Sequence, residues 1–289
     1  MKTRFIDLGG PVHVADFGGE GPPIVLLHGL GASHTGWMPV GPGLARRGRV
    51  IAPDLIGFGR TPLGGRRSTI EANVELVSRL LDREIAGEGP VTVVGNSMGG
   101  MVSVMLAAAR PDRVARLVLV APALPRPLGA PLDMKVAAAF TVYMIPGAGE
   151  LMMRRRLAAV GPERVLRDTL ELCGVDPDRI MPEAWEASLA LAHERSKHTW
   201  TADAFIGAAR SLVHTALRRD RVEEAIRTLR APALLTHGTR DRLVPIVVSE
   251  AAARLRSDWR VERMEGLGHV PQLEAPERWL DAVTRWLDG

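Results

Sequence analysis

The sequence predicts an α/β protein in which a mostly parallel sheet is flanked by helices and interrupted by a helical insertion. Over residues 1–123, short apolar segments that end near a glycine alternate with segments of helical spacing. This alternation is typical of parallel sheets, because a helix must carry the chain back between neighbouring strands. The strand pattern then stops for roughly 90 residues and resumes near the C-terminus.

The N-terminal part contains strand and helix segments in the required order. Strands are predicted at 11–18, 22–29, 49–59, 91–95 and 114–123, and helices at 68–85 and 99–111. The first strand alternates apolar and polar side chains, as a half-exposed strand does, whereas the others are apolar runs typical of buried strands. In the first helix, Ile70, Val74, Val77 and Leu81 share one face, and Ser68 or Thr69 can cap its N-terminus.

The middle of the chain reads as helices only. Helical segments are predicted at 134–161, 162–174, 182–196 and 201–220, with Pro, Gly and Asp between them. Strand signals return at 231–238 and 259–266, and a last helix begins with Pro276 in its first turn. We therefore predict a core domain formed by residues 1–123 and 213–289, with a helical cap inserted at 124–212.

Composition limits the classes of function. The net charge is +4 and the pI is about 9.9, but acidic side chains are interspersed with the arginines, which argues against a nucleic-acid partner. The cluster 152–157, which contains three consecutive arginines, is predicted to be a solvated helix face, and the alternative is that it steers an anionic substrate. No apolar run approaches the length of a membrane span, and Cys173 is the only cysteine. A cytoplasmic protein without stable membrane association, either monomer or homodimer, is the expectation.

The segment Gly95-Asn96-Ser97-Met98-Gly99 fits the pattern G-x-S-x-G at a strand-to-helix junction. Such a turn strains the serine backbone and exposes its hydroxyl above the sheet edge. Side chains two residues away on either side would clash with the adjacent strand and helix, so both positions favour glycine. Ser97 is therefore the candidate nucleophile.

A serine nucleophile needs a histidine base and an orienting carboxylate, and in this kind of turn the chain order is Ser, acid, His. His193, His198 and His214 fall in the helical stretch, and His237 is interpreted as a structural neighbour at a strand end. His269 lies in a glycine-rich loop after the last strand and is the predicted base. Asp241 follows the strand 231–238 and is a better acid than Asp203 or Asp220, which lie among the helices.

An oxyanion requires two backbone N–H donors. Met98, which follows the nucleophile, supplies one. The other is predicted at Leu30, since His28 and Gly29 turn the chain at the end of an early strand, and Gly31 is the alternative. His28 is expected to brace this loop.

Together, "HGLG", "PDLIGFGRT", "GNSMGG", "GTRDRLVP" and "GHVPQLEAP" resemble the α/β-hydrolase fold family, in its cap-bearing serine hydrolase branch of esterases, lipases and carbon–carbon bond hydrolases. The resemblance implies an eight-stranded, mostly parallel sheet, a cap after the strand ending near Ala123, and no cofactor or metal. It assigns the nucleophile to Ser97, the acid to Asp241, the base to His269 and the oxyanion amides to Leu30 and Met98.

The expected reaction is hydrolysis of small to medium hydrophobic carboxylic esters, the expected small-molecule partners. A carbon–carbon bond hydrolase of the meta-cleavage type is the alternative, although the loop "HGLGAS" departs from the "HGxGPG" usual in those enzymes. A ligand-binding scaffold without turnover is the second alternative. The predicted substrate pocket, apolar and flexible, combines core and cap residues: His28, Met134, Phe140, Tyr143, Met144 and Val270.

Overall fold

The computed structural model describes residues 1–131 and 133–289. Its sheet has eight strands: β1 (Lys2–Asp7), β2 (Pro11–Gly18), β3 (Ile24–Leu27), β4 (Val50–Pro53), β5 (Val91–Asn96), β6 (Val114–Val120), β7 (Ala233–Gly238) and β8 (Trp259–Met264). The spatial order is β1-β2-β4-β3-β5-β6-β7-β8. From β4 to β8 all neighbours are parallel, whereas β2 runs antiparallel to both β1 and β4. The predicted fold class, an α/β-hydrolase fold with a mostly parallel eight-stranded sheet, is confirmed.

Strand β1 carried no signal that the sequence reasoning used. It lies at the edge of the sheet and pairs with β2 alone. Its residues are exposed or half-buried throughout, so its composition is not constrained by a core. An edge strand of this kind lacks the apolar run by which the central strands were found.

The helices of the described residues are α1 (Gly41–Leu44), α2 (Ile70–Glu84), α3 (Met98–Ala109), α4 (Met134–Met144), α5 (Ala148–Leu172), α6 (Pro182–Ser196), α7 (Thr201–Leu217), α8 (Arg219–Thr228), α9 (Val247–Ala253), α10 (Pro271–Glu274) and α11 (Pro276–Asp288). A short 3₁₀ helix spans His34–Trp37. Of the two predicted caps of α2, Thr69 is the one used: its Oγ1 accepts from the N–H of Ala72 at 3.2 Å.

The core lies on both faces of the sheet. On one face, α2 and α3 bury Leu80, Leu81 and Val102 against the strands. On the other face, Trp37 of the 3₁₀ helix and Trp279 of α11 pack against β3, β5 and β6. Because both faces are covered, the central strands bury every residue of β3 and β4 and all but Thr92 of β5, as their apolar sequences predicted.

The segment between β6 and β7 is helical, as predicted, but its helices have different limits. The single helix expected at 134–161 is two helices, because Pro146 and Gly147 interrupt it and Gly147 adopts φ 78°. Helix α5 in turn is kinked at Gly161, which precedes Pro162. The division into a core and a cap stays a prediction, and its boundary between 212 and 213 falls inside the continuous helix α7.

Among the described residues, no single helix is both long and apolar enough to cross a membrane. Helices α4 and α5 taken together reach that length and composition, and they are bent by 116° relative to each other.

Candidate active site

Ser97 occupies the sharp turn between β5 and α3. Its φ of 53° and ψ of −113° lie in a region that side chains other than glycine seldom adopt. A Cβ at Gly95 would collide with the Oγ of Ser103 and the carbonyl of Gly99, and a Cβ at Gly99 would collide with the carbonyl of Leu27. The two glycines are therefore required by close approach of the strand and the helix, which is the reason predicted from the sequence.

Asp241 and His269 are brought together although 28 residues separate them. The Nδ1–H of His269 donates to Oδ2 of Asp241 at 2.7 Å, and both side chains are buried. The other ring nitrogen of His269, Nε2, is buried and makes no hydrogen bond within the described residues. Ser97 and His269 thus do not hydrogen bond to each other in this structure, and the nitrogen that could accept the serine proton is free.

The carboxylate of Asp241 is held by its own turn. Its Oδ1 accepts from the N–H groups of Leu243 and Val244, both at 2.9 Å. His237, at the end of β7, donates from Nε2 to Oδ2 of Asp241 at 3.1 Å and accepts at Nδ1 from Ser249. Burial alone would raise the pKa of Asp241, but the charge of His269 and the hydrogen bonds from both histidines outweigh it and hold that pKa at about 2. Asp241 is therefore ionised whenever the protein is folded at neutral pH.

The loop that carries His269 is held by groups that the sequence reasoning did not find. The N–H of His269 donates to the carbonyl of Cys173, at the end of α5, at 3.1 Å. The side chain of Asn96, next to Ser97, donates to the carbonyl of His269 at 3.2 Å. Gly268 packs directly on Gly174, so that a Cβ there would meet backbone. The end of α5 thus positions the candidate base. No local pattern in the sequence indicates this contact.

The loop after β3 contains the second predicted oxyanion donor, Leu30. It lies against the serine turn, since a Cβ at Gly29 would be 3.2 Å from Cβ of Ser97. Among the described residues, neither the N–H of Leu30 nor that of Met98 donates a hydrogen bond. Two free N–H groups beside a strained serine are what an oxyanion site requires.

His28 braces this loop, as expected. Its Nδ1–H donates to the carbonyl of Gly29 at 2.8 Å, and its Nε2 accepts from the N–H of Leu55 at 2.9 Å. Burial lowers the pKa of His28 to about 4, which keeps the ring neutral and able to accept at Nε2. Both ring nitrogens are thus bonded to backbone groups, and the place of His28 in a substrate pocket stays a prediction.

The remaining predicted pocket residues separate into two groups. Phe140 and Tyr143 of α4 belong to an apolar cluster with Leu30, Ile206 and Phe205, next to the candidate oxyanion loop. Val270 packs on a second cluster with Leu243 and Trp185, beside the acid and base. The first cluster includes Leu30 and the second is contacted by the residue after His269, and their role as a pocket stays a prediction.

Met134 does not belong to either cluster. It is the first residue of α4 and is 77% exposed, so the prediction that it lines an enclosed pocket is wrong. Met144, at the other end of α4, is half-buried and is not part of the cluster around Leu30. Phe205 and Ile206 belong to the cluster around Leu30 instead, and only the packing of α7 against α4 could have identified them.

A second buried aspartate, Asp54, follows β4. It accepts from Nδ1 of His13 at 2.8 Å, from Nδ1 of His34 at 2.9 Å, and from the N–H groups of His34 and Arg60. Two imidazoles and a carboxylate are ligands that could hold a transition metal. Here four donor groups already hydrogen bond to the carboxylate, so its acceptor positions are filled without a cation.

Comparison with known proteins assigns the chain to a family. A model of the Alpha/beta hydrolase family matches residues 24–282, and the chain belongs to that family. It is 31% identical over 269 residues to a pimeloyl-[acyl-carrier protein] methyl ester esterase of Aromatoleum aromaticum, covering 89% of this chain and 94% of the esterase. It is 29% identical over 288 residues to a 2-hydroxy-6-oxo-2,4-heptadienoate hydrolase of Pseudomonas putida, covering 93% and 90% of the two chains.

Among solved structures, a meta-cleavage product hydrolase of Pseudomonas fluorescens superposes with a TM-score of 0.74 at 23% identity, covering all of this chain and 97% of the other. At that identity the likeness extends to the fold alone. The relatives include lipases, esterases and carbon–carbon bond hydrolases, which indicates a hydrolytic enzyme.

Proposed function

We propose that the protein is a serine hydrolase that cleaves small to medium hydrophobic carboxylic esters through an acyl-enzyme on Ser97. The observation that carries the proposal is the pairing of Asp241 with His269, which leaves Nε2 of His269 free in a loop tied to the serine turn by Asn96. A carboxylate that orients a histidine, whose other ring nitrogen accepts the serine proton, is the arrangement that activates a serine.

In the proposed reaction, Oγ of Ser97 attacks the ester carbonyl carbon while Nε2 of His269 takes the hydroxyl proton. The carbonyl oxygen becomes negative and accepts hydrogen bonds from the N–H groups of Leu30 and Met98. When the carbon–oxygen bond breaks, the His269 imidazolium returns its proton to the leaving alcohol. A water molecule, deprotonated by the same nitrogen, then attacks the acyl-enzyme, which releases the carboxylic acid and regenerates Ser97.

Asp241 would keep its charge throughout this cycle. It holds His269 in the tautomer with the proton on Nδ1 and stabilises the imidazolium that forms at each step. The low pKa of Asp241, set mainly by the charge of His269 against the effect of burial, supports that role.

The apolar clusters support a short to medium acyl chain. Phe140, Tyr143 and Phe205 lie next to Leu30, so an acyl group whose carbonyl meets Leu30 would extend among aromatic side chains. Each buried methylene adds about 0.8 kcal/mol, or roughly fourfold in affinity, until the space is full. We expect kcat/KM to rise from acetate to butyrate or hexanoate esters and then to fall.

A carbon–carbon bond hydrolase is the second candidate. The match to the heptadienoate hydrolase over nine-tenths of both chains favours it. The loop His28-Gly29-Leu30-Gly31-Ala32 lacks the proline usual in such enzymes, which favours the ester reaction.

The test is a panel of p-nitrophenyl esters from acetate to dodecanoate, a vinylogous 1,5-diketone and an emulsified long-chain triglyceride, with the Ser97→Ala variant as control. Ester cleavage that disappears in Ser97→Ala, together with labelling of Ser97 by a fluorophosphonate, would support the proposal. Cleavage of the diketone with no ester cleaved would favour the second candidate. A protein that is neither labelled nor active would be a binding scaffold, and preference for the triglyceride would make it a lipase.

A further inference from the structure

Arg195 lies near the end of α6, and its cationic side chain is buried against the turn that follows β4. It is only 8% exposed. Its Nη2 donates to the carbonyl of Gly57 at 3.1 Å and its Nη1 to the carbonyl of Gly59 at 3.4 Å. The guanidinium carbon also lies 5.4 Å from the ring centre of Phe58. The turn that follows β4 therefore surrounds this side chain with acceptors and an aromatic face.

No carboxylate contacts Arg195 directly within the described residues, although a buried cation normally requires one. The compensating anion is Asp54, on the other side of the turn. One peptide unit joins the two charges, because its carbonyl, from Gly59, accepts from Arg195 and its N–H, from Arg60, donates to Oδ2 of Asp54 at 2.9 Å. Gly59 has no room for a Cβ, which would collide with the Asp54 carboxylate. The cation and the anion are thus paired through a backbone amide.

Burying these two charges costs free energy of desolvation, and separating them inside the protein also costs free energy. Burial lowers the pKa of Arg195 to about 10, with the charge of Asp54 opposing the change, so the side chain remains a cation at neutral pH. If α6 moved away from the core, Asp54 would lose its counter-charge and the carbonyls of Gly57 and Gly59 would lose their donor. An unpaired buried charge is among the strongest penalties in a protein interior.

Helix α6 contacts the core at three points along its length, of which Arg195 is the last. Its first turns place Ala184 and Trp185 in the cluster with Val270 and Leu243, the neighbours of His269 and Asp241. In its middle, Ser188 hydrogen bonds to Thr35 of the 3₁₀ helix at 2.9 Å. Fifteen residues of helix are about 22 Å long, so α6 reaches from the turn that follows β4 to the side chains packed beside His269.

We propose that Arg195 is a positioning residue that holds α6 against the core and thereby limits the length of acyl chain that reaches Ser97. The limit on chain length rests on the proposed esterase function, whereas the anchoring of α6 does not. Arg60 provides a matched comparison, since its side chain joins the same turn to Glu194 of the same helix at 3.0 Å but is exposed. Exposed ion pairs contribute little, so only the buried contact should hold the helix.

The experiment compares Arg195→Met with Arg60→Met in the full-length protein by amide hydrogen exchange and by the ester panel. For Arg195→Met we expect exchange in α6 and in residues 57–60 to become at least about tenfold faster, with the sheet unchanged. The ratio of kcat/KM for dodecanoate over butyrate should rise by at least about tenfold, because a displaced helix leaves room for the longer chain. Arg60→Met should stay within about threefold of the wild type in both measurements.

Unchanged exchange in α6 of Arg195→Met would overturn the proposal, whatever the enzyme activity. If that variant does not fold, Arg195→Lys decides, since it keeps the charge but loses the two-pronged donor. Faster exchange confined to α6 and residues 57–60 would support the proposal, and wild-type exchange would refute it. Faster exchange in a protein that cleaves no ester would leave the anchor standing and refute only the esterase function.

Discussion

Asp241 and Asp54 are both buried aspartates that follow a strand of the sheet, and each accepts hydrogen bonds from two histidines. They differ in the other hydrogen bonds that each carboxylate accepts. Asp241 accepts two N–H groups from its own turn, which leaves Oδ2 fixed toward His237 and His269. Asp54 accepts N–H groups from two separate segments, at His34 and at Arg60, and so ties together β2, the loop after β3 and the turn after β4.

The two clusters also differ in what lies beyond the histidines. In each cluster one imidazole keeps a buried nitrogen that makes no hydrogen bond to the part of the chain that the structure describes, Nε2 of His269 and Nε2 of His13. The first belongs to a loop bonded to the residue beside Ser97, whereas the second ring packs edge-on to Phe5, 5.4 Å away. The same residue types therefore give a candidate proton relay in one place and a structural clamp in the other. The nearby candidate nucleophile, and not the Asp–His pair, makes the difference.

The comparison predicts its largest effect for the histidines. His269→Ala should lower kcat for butyrate ester hydrolysis by about 10⁶, the loss seen when the base of a serine hydrolase such as subtilisin is removed. His13→Ala should change kcat by less than about tenfold when it is assayed below its unfolding temperature, since no step uses that ring. Steady-state rates of both variants check this, and comparable losses would mean that the Asp54 cluster takes part in the chemistry.

The next effect concerns the two carboxylates. Asp241→Asn should reduce kcat by about 10⁴, because the amide favours the wrong tautomer of His269. Asp54→Asn should mainly reduce the free energy of unfolding, by about 3–5 kcal/mol, because it removes the counter-charge of a buried cluster and of Arg195. Steady-state rates and urea unfolding of both variants measure the loss of kcat and the loss of unfolding free energy. A stable Asp54→Asn protein would contradict the role of Asp54 as a clamp.

The smallest effect concerns His28, which accepts from the N–H of Leu55, the residue after Asp54, and donates to the carbonyl of Gly29 in the candidate oxyanion loop. The pKa of His28 is lowered by burial to about 4 in the folded protein. Between that value and the ordinary pKa of about 6.5, the unfolded chain binds more protons, so stability must fall as the pH drops through this range. The loss due to His28 should approach about 3 kcal/mol near pH 4.

Urea unfolding of the wild type and of His28→Gln at pH 7 and pH 4 measures that loss. The wild type should lose about 3 kcal/mol more than the variant, which carries no imidazole at this position. His193→Gln, which replaces an exposed histidine of α6, should behave like the wild type. Equal losses in all three proteins would show that His28 is not a buried neutral ring.

Much of the fold and part of the candidate site followed from the sequence, because the constraints there are local. The serine turn depends on glycines two residues away on either side, and their collisions with Ser103 and Leu27 arise within a single strand–turn–helix unit. The central strands were recognised because burial on both faces requires continuous apolar runs. Where burial was absent, as in β1, the pattern failed.

The chain order Ser97, Asp241, His269 followed from the sequence, but which groups hold these side chains depended on the tertiary structure. The carbonyl of Cys173 reaches His269 from the end of a helix, and Arg195 reaches Gly57 across 138 residues. Met134 and Phe140 lie in one helix and looked equivalent, yet one is exposed and the other packs near Leu30. The periodicity of the sequence shows which side chains are apolar. Which residues each side chain contacts is decided by how helices from distant parts of the chain pack over the same sheet edge.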